Sequence, residues 1–177
     1  NSLGAISYYE QALALCRQLG IRRFESVLLR NLGGAWQCMG DLAQAQELYE
    51  GSITLCREVG DRRGESETLV WWGGLACWRG EHAAARDAAE RGWRLARSIG
   101  AQYEVGLALL HLGHALTGLG QLMEAADAYR QALQHPAFAW TVAEACDPAT
   151  AVKIGLFDLE GRLHGLRMTE VPVSSPQ

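Results

Sequence analysis

The sequence predicts an all-α protein, a right-handed solenoid of antiparallel helix pairs closed by a C-terminal capping helix. Two observations carry this. Three glycine series recur forty residues apart: Gly20, Gly60, Gly100; Gly33, Gly73, Gly113; and Gly40, Gly80, Gly120. Between them the apolar residues fall at helical spacing, as in Leu28, Leu29, Leu32 and Trp36, followed by Leu42, Ala45, Leu48, Tyr49, Ile53 and Cys56. Other columns keep the same step, among them Ala5, Ala45, Ala85, Ala125 and Tyr9, Tyr49, Ala89, Tyr129.

Taken in order, residues 1–20 form a half repeat. Ala5, Tyr9 and Ala12 mark a second helix, from Leu3 to Arg17, whose first helix is missing. Its apolar residues are expected to be open on one side, which predicts association through exposed terminal helices. Residues 21–60 form the first full repeat. Gly40 ends its first helix with a positive φ, and Asp41 caps the amides of the second. Residues 61–100 and 101–134 repeat the scheme, with Gly60-Asp61 as the turn between units.

Gly33, Gly73 and Gly113 fall inside helices, where glycine costs about 1 kcal/mol relative to alanine. Close approach of the partner helix explains them, with Ala45, Ala85 and Ala125 facing the glycines. The stretches Leu19-Gly20-Ile21-Arg22-Arg23 and Val59-Gly60-Asp61-Arg62-Arg63-Gly64-Glu65 read as linkers, solvated loops in which Arg22-Arg23 and Arg62-Arg63 make local ion pairs beside Glu25 and Glu65. On this reading leucine at Gly73 wedges its helix pair apart at a cost of about 1–3 kcal/mol, and the same substitution at Gly64 matters much less.

After Gln134 the columns lose step, and His135-Pro136 stops the last regular helix. Residues 135–167 form the C-terminal cap: Asp147-Pro148 opens a helix over about 148–165, along which Val152, Leu156, Leu159, Leu163 and Leu166 make one stripe. A β-hairpin turning at Glu160-Gly161 is the alternative. Residues 168–177 form a frayed tail.

Composition narrows the class of function. The chain has 177 residues, 49% of them apolar, and a net charge of −4, so it has enough apolar residues for a core and no field attractive to a phosphate backbone. No apolar stretch reaches membrane-helix length, and Asn1-Ser2-Leu3-Gly4 does not read as a signal peptide. Neither nucleic acid nor membrane is an expected partner. The initial Asn suggests a piece of a longer protein. Five cysteines without a Cys-x-x-Cys pair argue against disulfides or structural zinc and for a reduced, cytoplasmic setting.

The run Leu29, Leu32, Gly33, Trp36, then Gly40, Ala45, Tyr49 and Ser52, resembles the tetratricopeptide repeat signature. Leu69, Trp72, Gly73, Ala76, Gly80 and Ala85 match in the next unit, and Leu109, Leu112, Gly113, Leu116, Gly120, Ala125, Tyr129 and Ala132 in the third. The 40-residue units are similar to the long repeats of kinesin light chains, of cell-polarity adaptors, and of bacterial signal-transduction ATPases and transcription activators of the maltose-regulator type. The composition suits the bacterial group. The resemblance implies a non-catalytic scaffold, without cofactor, whose concave groove takes a protein or peptide segment, from another chain or from its own parent. A small-effector sensor or a self-association module is the alternative.

In such a fold the first helix of each unit lines the groove. This nominates Arg30, Asn31, Gly34 and Gln37; Val70, Trp71, Gly74, Cys77 and Trp78; and Leu110, His111, His114 and Thr117. Trp71 offers a stacking surface, while Arg30 and Asn31 can hold a backbone or a carboxylate. Gly34, Leu107 and His111 replace the asparagine and basic residues of a carboxylate clamp, so a chaperone-tail receptor is not expected. His111 and His114 sit at a two-ligand spacing without a third ligand, and a Cys77–His114 pair has no visible oxyanion device. Neither a metal nor a catalytic site is expected.

Overall fold

The structure, a computed structural model, describes residues 2–135; the capping helix, its hairpin alternative and the tail lie outside the described residues. Seven helices follow one another: α1 (Ser2–Leu19), α2 (Arg22–Met39), α3 (Leu42–Val59), α4 (Arg62–Trp78), α5 (His82–Ser98), α6 (Gln102–Gly118) and α7 (Leu122–Leu133). No strand occurs among the described residues.

Each of the first six helices is followed by a glycine with φ between 68° and 85°, the left-handed conformation that lets the chain reverse within two or three residues. At Gly40 and Gly60 the device is complete. The amides of Gly40 and Gly60 close back onto the carbonyls of Gln37 and Arg57, while Asp41 and Asp61 accept the amides of Gln44 and Gly64 at 3.0 Å. The extra length of the repeat therefore resides in helices α1 to α6, of 17 or 18 residues each, and of the stretches read as linkers Arg22-Arg23 and Arg62 to Glu65 belong to helical first turns. The reason is local: neither stretch contains a proline, and Asp61 caps α4 from the start.

One consequence reverses the expectation for Gly64. It is buried inside α4, and a Cβ there would lie 2.9 Å from Cys56 Sγ and 3.0 Å from the capping carboxylate of Asp61. The ion pairs expected here form, but with other partners: Glu25 and Glu65 are taken by arginines of the preceding helix, and the arginines of these stretches reach other residues. Arg17–Glu25 and Arg57–Glu65 pair across equivalent turns at 2.8 and 2.6 Å. Arg22 pairs with Glu58. Arg62, forty residues on, donates to Ser98 at 3.0 Å.

Within a unit, buried hydroxyls fasten the two helices. Ser52 of α3 donates to the Ser26 carbonyl of α2 at 2.8 Å; one repeat later the same two positions are joined with the roles exchanged, Ser66 of α4 donating to the Gly92 carbonyl of α5 at 3.1 Å. Between units, α4 touches both α2 and α6, whereas α3, α5 and α7 stack mainly through those first helices. The array thus curves with α2, α4 and α6 on its inner side. On α1, Tyr8, Leu15 and Leu19 are exposed.

A tyrosine ring explains two of the three helical glycines. A Cβ on Gly33 would lie 2.9 Å from the Tyr49 ring, and one on Gly113 would run into the Tyr129 ring. In the middle unit Ala89 stands in the tyrosine column, so a Cβ on Gly73 meets only Ala85 O, Ala89 N and Ala88 Cβ at 3.4–3.7 Å, ordinary contact. Gly73→Ala is therefore expected to stabilise the protein by up to about 1 kcal/mol through helix propensity. Gly113→Ala is expected to cost about 1–3 kcal/mol by overpacking a buried ring. Denaturant melts of the two variants check this, and a shift of the same sign in both would contradict it.

Candidate functional site

On the inner face lies a cleft of about 420 Å³ between α2, α4 and α6. Arg30, Asn31 and Gly34 line it from α2, Glu67, Val70 and Trp71 from α4, and Tyr103, Glu104 and Leu107 from α6, with Tyr9 and Tyr49 at its margin. Trp71 and Tyr103 keep 45% and 55% of their surface in solvent. Across the cleft runs a chain of alternating charge: Arg30 pairs with Glu67, and Arg63 bridges Glu67 at 3.1 Å and the buried Glu104 at 3.3 Å. Glu67, followed by Glu104, holds the Arg63 guanidinium still more firmly protonated than usual. Arg30, expected to meet a partner's carboxylate, already has one; such a partner must displace Glu67.

The lining residues step back along successive helices, from 30–34 on α2 to 67–71 on α4 and 103–107 on α6. The Arg30–Glu67 pair shows the same stagger, 37 residues where the repeat is 40. Tyr103, Glu104 and Leu107 were therefore not found by a rule that keeps to one column. The stagger also explains why the cleft opens where it does. His111 lies 37 residues beyond Gly74, and its ring packs against that glycine, where a Cβ would lie 2.8 Å from the imidazole. Gly34 and Trp71 hold the equivalent places one unit earlier, yet a Cβ on Gly34 would meet only Tyr49 Oη, at 3.6 Å. The same slot is filled between α4 and α6 and open between α2 and α4.

The other nominated residues are placed elsewhere. Val70 forms the cleft wall but is fully buried. Gln37 accepts a hydrogen bond from Tyr49 Oη at 2.9 Å, and burial pushes the Tyr49 phenol up to about 12. Cys77 donates to the His111 carbonyl at 3.8 Å. Burial raises its thiol to about 11, which keeps it protonated and is the reverse of an activated nucleophile. His114 packs edge-on against Tyr129, with ring centroids 5.7 Å apart. Thr117 bonds back to the Gly113 carbonyl at 2.8 Å. Trp78, 72% exposed, stands at the C-terminal end of α4, outside the cleft lining.

His111 and His114 are 6.1 Å apart between ring centroids, with both Nε2 atoms buried and unpartnered. Burial, and then the charge of His114, lowers His111 to about 4; burial also lowers His114. Both imidazoles are neutral at pH 7. No group of three or more His, Cys, Asp or Glu side chains arranged to hold a metal ion occurs among the described residues, nor is any described helix long and apolar enough to cross a membrane.

A family model described as Tetratricopeptide repeat matches residues 27–59, which cover most of α2 and all of α3. The crystal structure of BtubC (BKLC) from P. vanneervenii is similar over 77% of this chain, with a TM-score of 0.70 and 14% sequence identity. At that identity the likeness is one of fold. This chain spans 57% of the length of that one. No curated protein matches it in sequence. Residues 27–59 thus match a tetratricopeptide repeat, and the described residues as a whole have a tetratricopeptide-like fold, an all-α solenoid with helix pairs α2–α3, α4–α5 and α6–α7 preceded by α1.

Proposed function

We propose that the chain is a non-catalytic scaffold whose inner cleft binds an extended segment of a partner protein, within a larger bacterial signalling or transcriptional regulator of the cytoplasm. The observation that carries the reading is the unfilled slot between α2 and α4, flanked by the exposed faces of Trp71 and Tyr103. Aromatic surface held on rigid helices anchors a ligand at low entropic cost, and such anchors dominate binding energy. The arginines and carboxylates of the cleft already compensate one another, so an apolar or aromatic side chain is the expected anchor and added salt has little effect. The Asn31 amide makes no hydrogen bond within the described residues and is available to the partner's backbone.

A volume of about 420 Å³ also falls in the range of small-molecule pockets, about 300–1,000 Å³, which favours an effector sensor as the second reading. Titration of tryptophan fluorescence with a random peptide library and with a metabolite mixture separates the two. Trp71→Ala is expected to weaken binding of the selected peptides at least tenfold, with helical circular dichroism unchanged. Unchanged affinity in that variant overturns the assignment of the cleft.

A further inference from the structure

The outer side of the array carries a second cleft. Between α3 and α5, which run parallel, the outer face of α4 is left uncovered, and Leu69 and Trp72 form the floor of a hollow of about 360 Å³. It continues through Leu69 and Arg91 into a shallower hollow of about 330 Å³ that ends at Arg62 and Ser98. The floor residues Arg62, Glu65, Leu69 and Trp72 are one stripe of α4, about 15 Å long at 1.5 Å per residue.

The openness comes from an exchange of bulk between repeats. One unit later, Trp93 occupies the place of Ile53 and Leu112 that of Trp72. Trp93 packs against the α6–α7 core with Arg97 over its ring. Between α3 and α5 the wall residue is the shorter Ile53 and the indole lies in the floor, its Nε1 without a partner.

The walls are polarised. Along α3 the order is Glu50 and then Arg57, and along α5 it is Asp87 and then Arg91, so both walls run from acidic to basic in the same direction. The second hollow adds Arg62 and Arg94 to the basic end. Several of these charges have partners, Arg57 with Glu65 at 2.6 Å and Arg94 with Glu90 at 3.3 Å. Arg91, where the two hollows meet, makes no ion pair among the described residues.

We propose that this outer cleft docks an amphipathic helix of a partner protein, lying antiparallel to α3 and α5, with acidic residues in its first turn and basic residues in its last. Its apolar ridge sits on Leu69 and Trp72, as side-chain ridges pack into grooves between helices. Its acidic turn meets Arg91 and its basic turn meets Glu50 and Asp87. That charge order is also the one that suits the partner's own helix dipole. The proposal stands independently of the inner cleft.

The test is selection on the intact chain from a phage-displayed library of amphipathic helices of about eleven residues, matched to the length of the floor at 1.5 Å per residue, with each charged position randomised between Glu and Lys. Clones with Glu in the first turn and Lys in the last are expected to be enriched. They should lose at least tenfold in affinity on Arg91→Glu, and exchanging the charges of the peptide should restore binding to that variant. Arg91 is exposed and unpaired, so the fold is retained, as circular dichroism verifies. Clones that lose affinity on Trp71→Ala instead are bound in the inner cleft. No enrichment, enrichment without charge order, or only clones of that last kind overturns the proposal.

Discussion

Trp72→Ala is expected to destabilise the protein by roughly 3–5 kcal/mol and to lower its melting temperature by on the order of 10 °C. Trp71→Ala, one residue earlier on the same helix, is expected to change it by less than about 1 kcal/mol. The two indoles lie on different sides of α4. Trp72 packs against two core clusters, that of Ala45, Tyr49 and Leu75 and that of Ala76, Ala85 and Ala115, which together draw on all three full repeats. Trp71 faces the inner cleft and is nearly half exposed. Truncating Trp72 removes contacts between units as well as within one, and in a quasi-linear array the interfaces between repeats carry much of the stability. Trp72→Phe should lose far less than Trp72→Ala, because it keeps most of the ring and removes an indole N–H that is buried without an acceptor. Thermal melts of the three variants decide it. A larger loss for Trp71→Ala than for Trp72→Ala would mean that the faces of α4 are reversed.

The features legible in the sequence are those that recur in register. Gly40-Asp41 and Gly60-Asp61 announced both their left-handed glycine and their aspartate cap, because each requirement is met by only a few residue types. The helix pairs followed from them. What one column cannot show is the relation between neighbouring columns. The 37-residue stagger that joins Arg30 to Glu67 and seats His111 on Gly74 is a property of the superhelix, and it moved part of the site to Tyr103, Glu104 and Leu107. The stretch from Arg62 to Glu65 looked like a linker because two arginines and a glycine carry no helical periodicity over so few residues. In the structure the Asp61 cap starts the helix there, and Gly64 is needed because Cys56 and Asp61 close over it. The tyrosine column was visible, but its pairing with Gly33 and Gly113 became clear only once the rings lay over the glycines.

Between pH 6.5 and pH 5 the protein is expected to lose about 2 kcal/mol of stability, and His111 is expected to account for most of that loss. Its imidazole is enclosed against Gly74, with Nε2 unpartnered, and burial holds it at about 4, well below the ordinary 6.5. Above pH 6.5 the group is neutral in the folded and unfolded chains alike, and stability is complete. As pH falls below 6.5 the unfolded chain takes up a proton that the folded chain refuses, so stability falls with pH until the folded group also protonates near 4. Each pH unit within that window costs at most about 1.4 kcal/mol, giving roughly 3 kcal/mol over the whole of it. His114, whose value burial also lowers, adds in the same direction. The slope between pH 6.5 and pH 5 lies largely above the ordinary titration range of the carboxylates, which keeps the histidines readable. Urea melts of the wild type and of His111→Gln at pH 7, 6 and 5 measure the effect. The variant should start less stable, for want of a flat ring over Gly74, but lose less than half as much stability on acidification. Parallel curves would place the acid sensitivity elsewhere and would mean that the repeat interface admits water or a partner for the His111 ring.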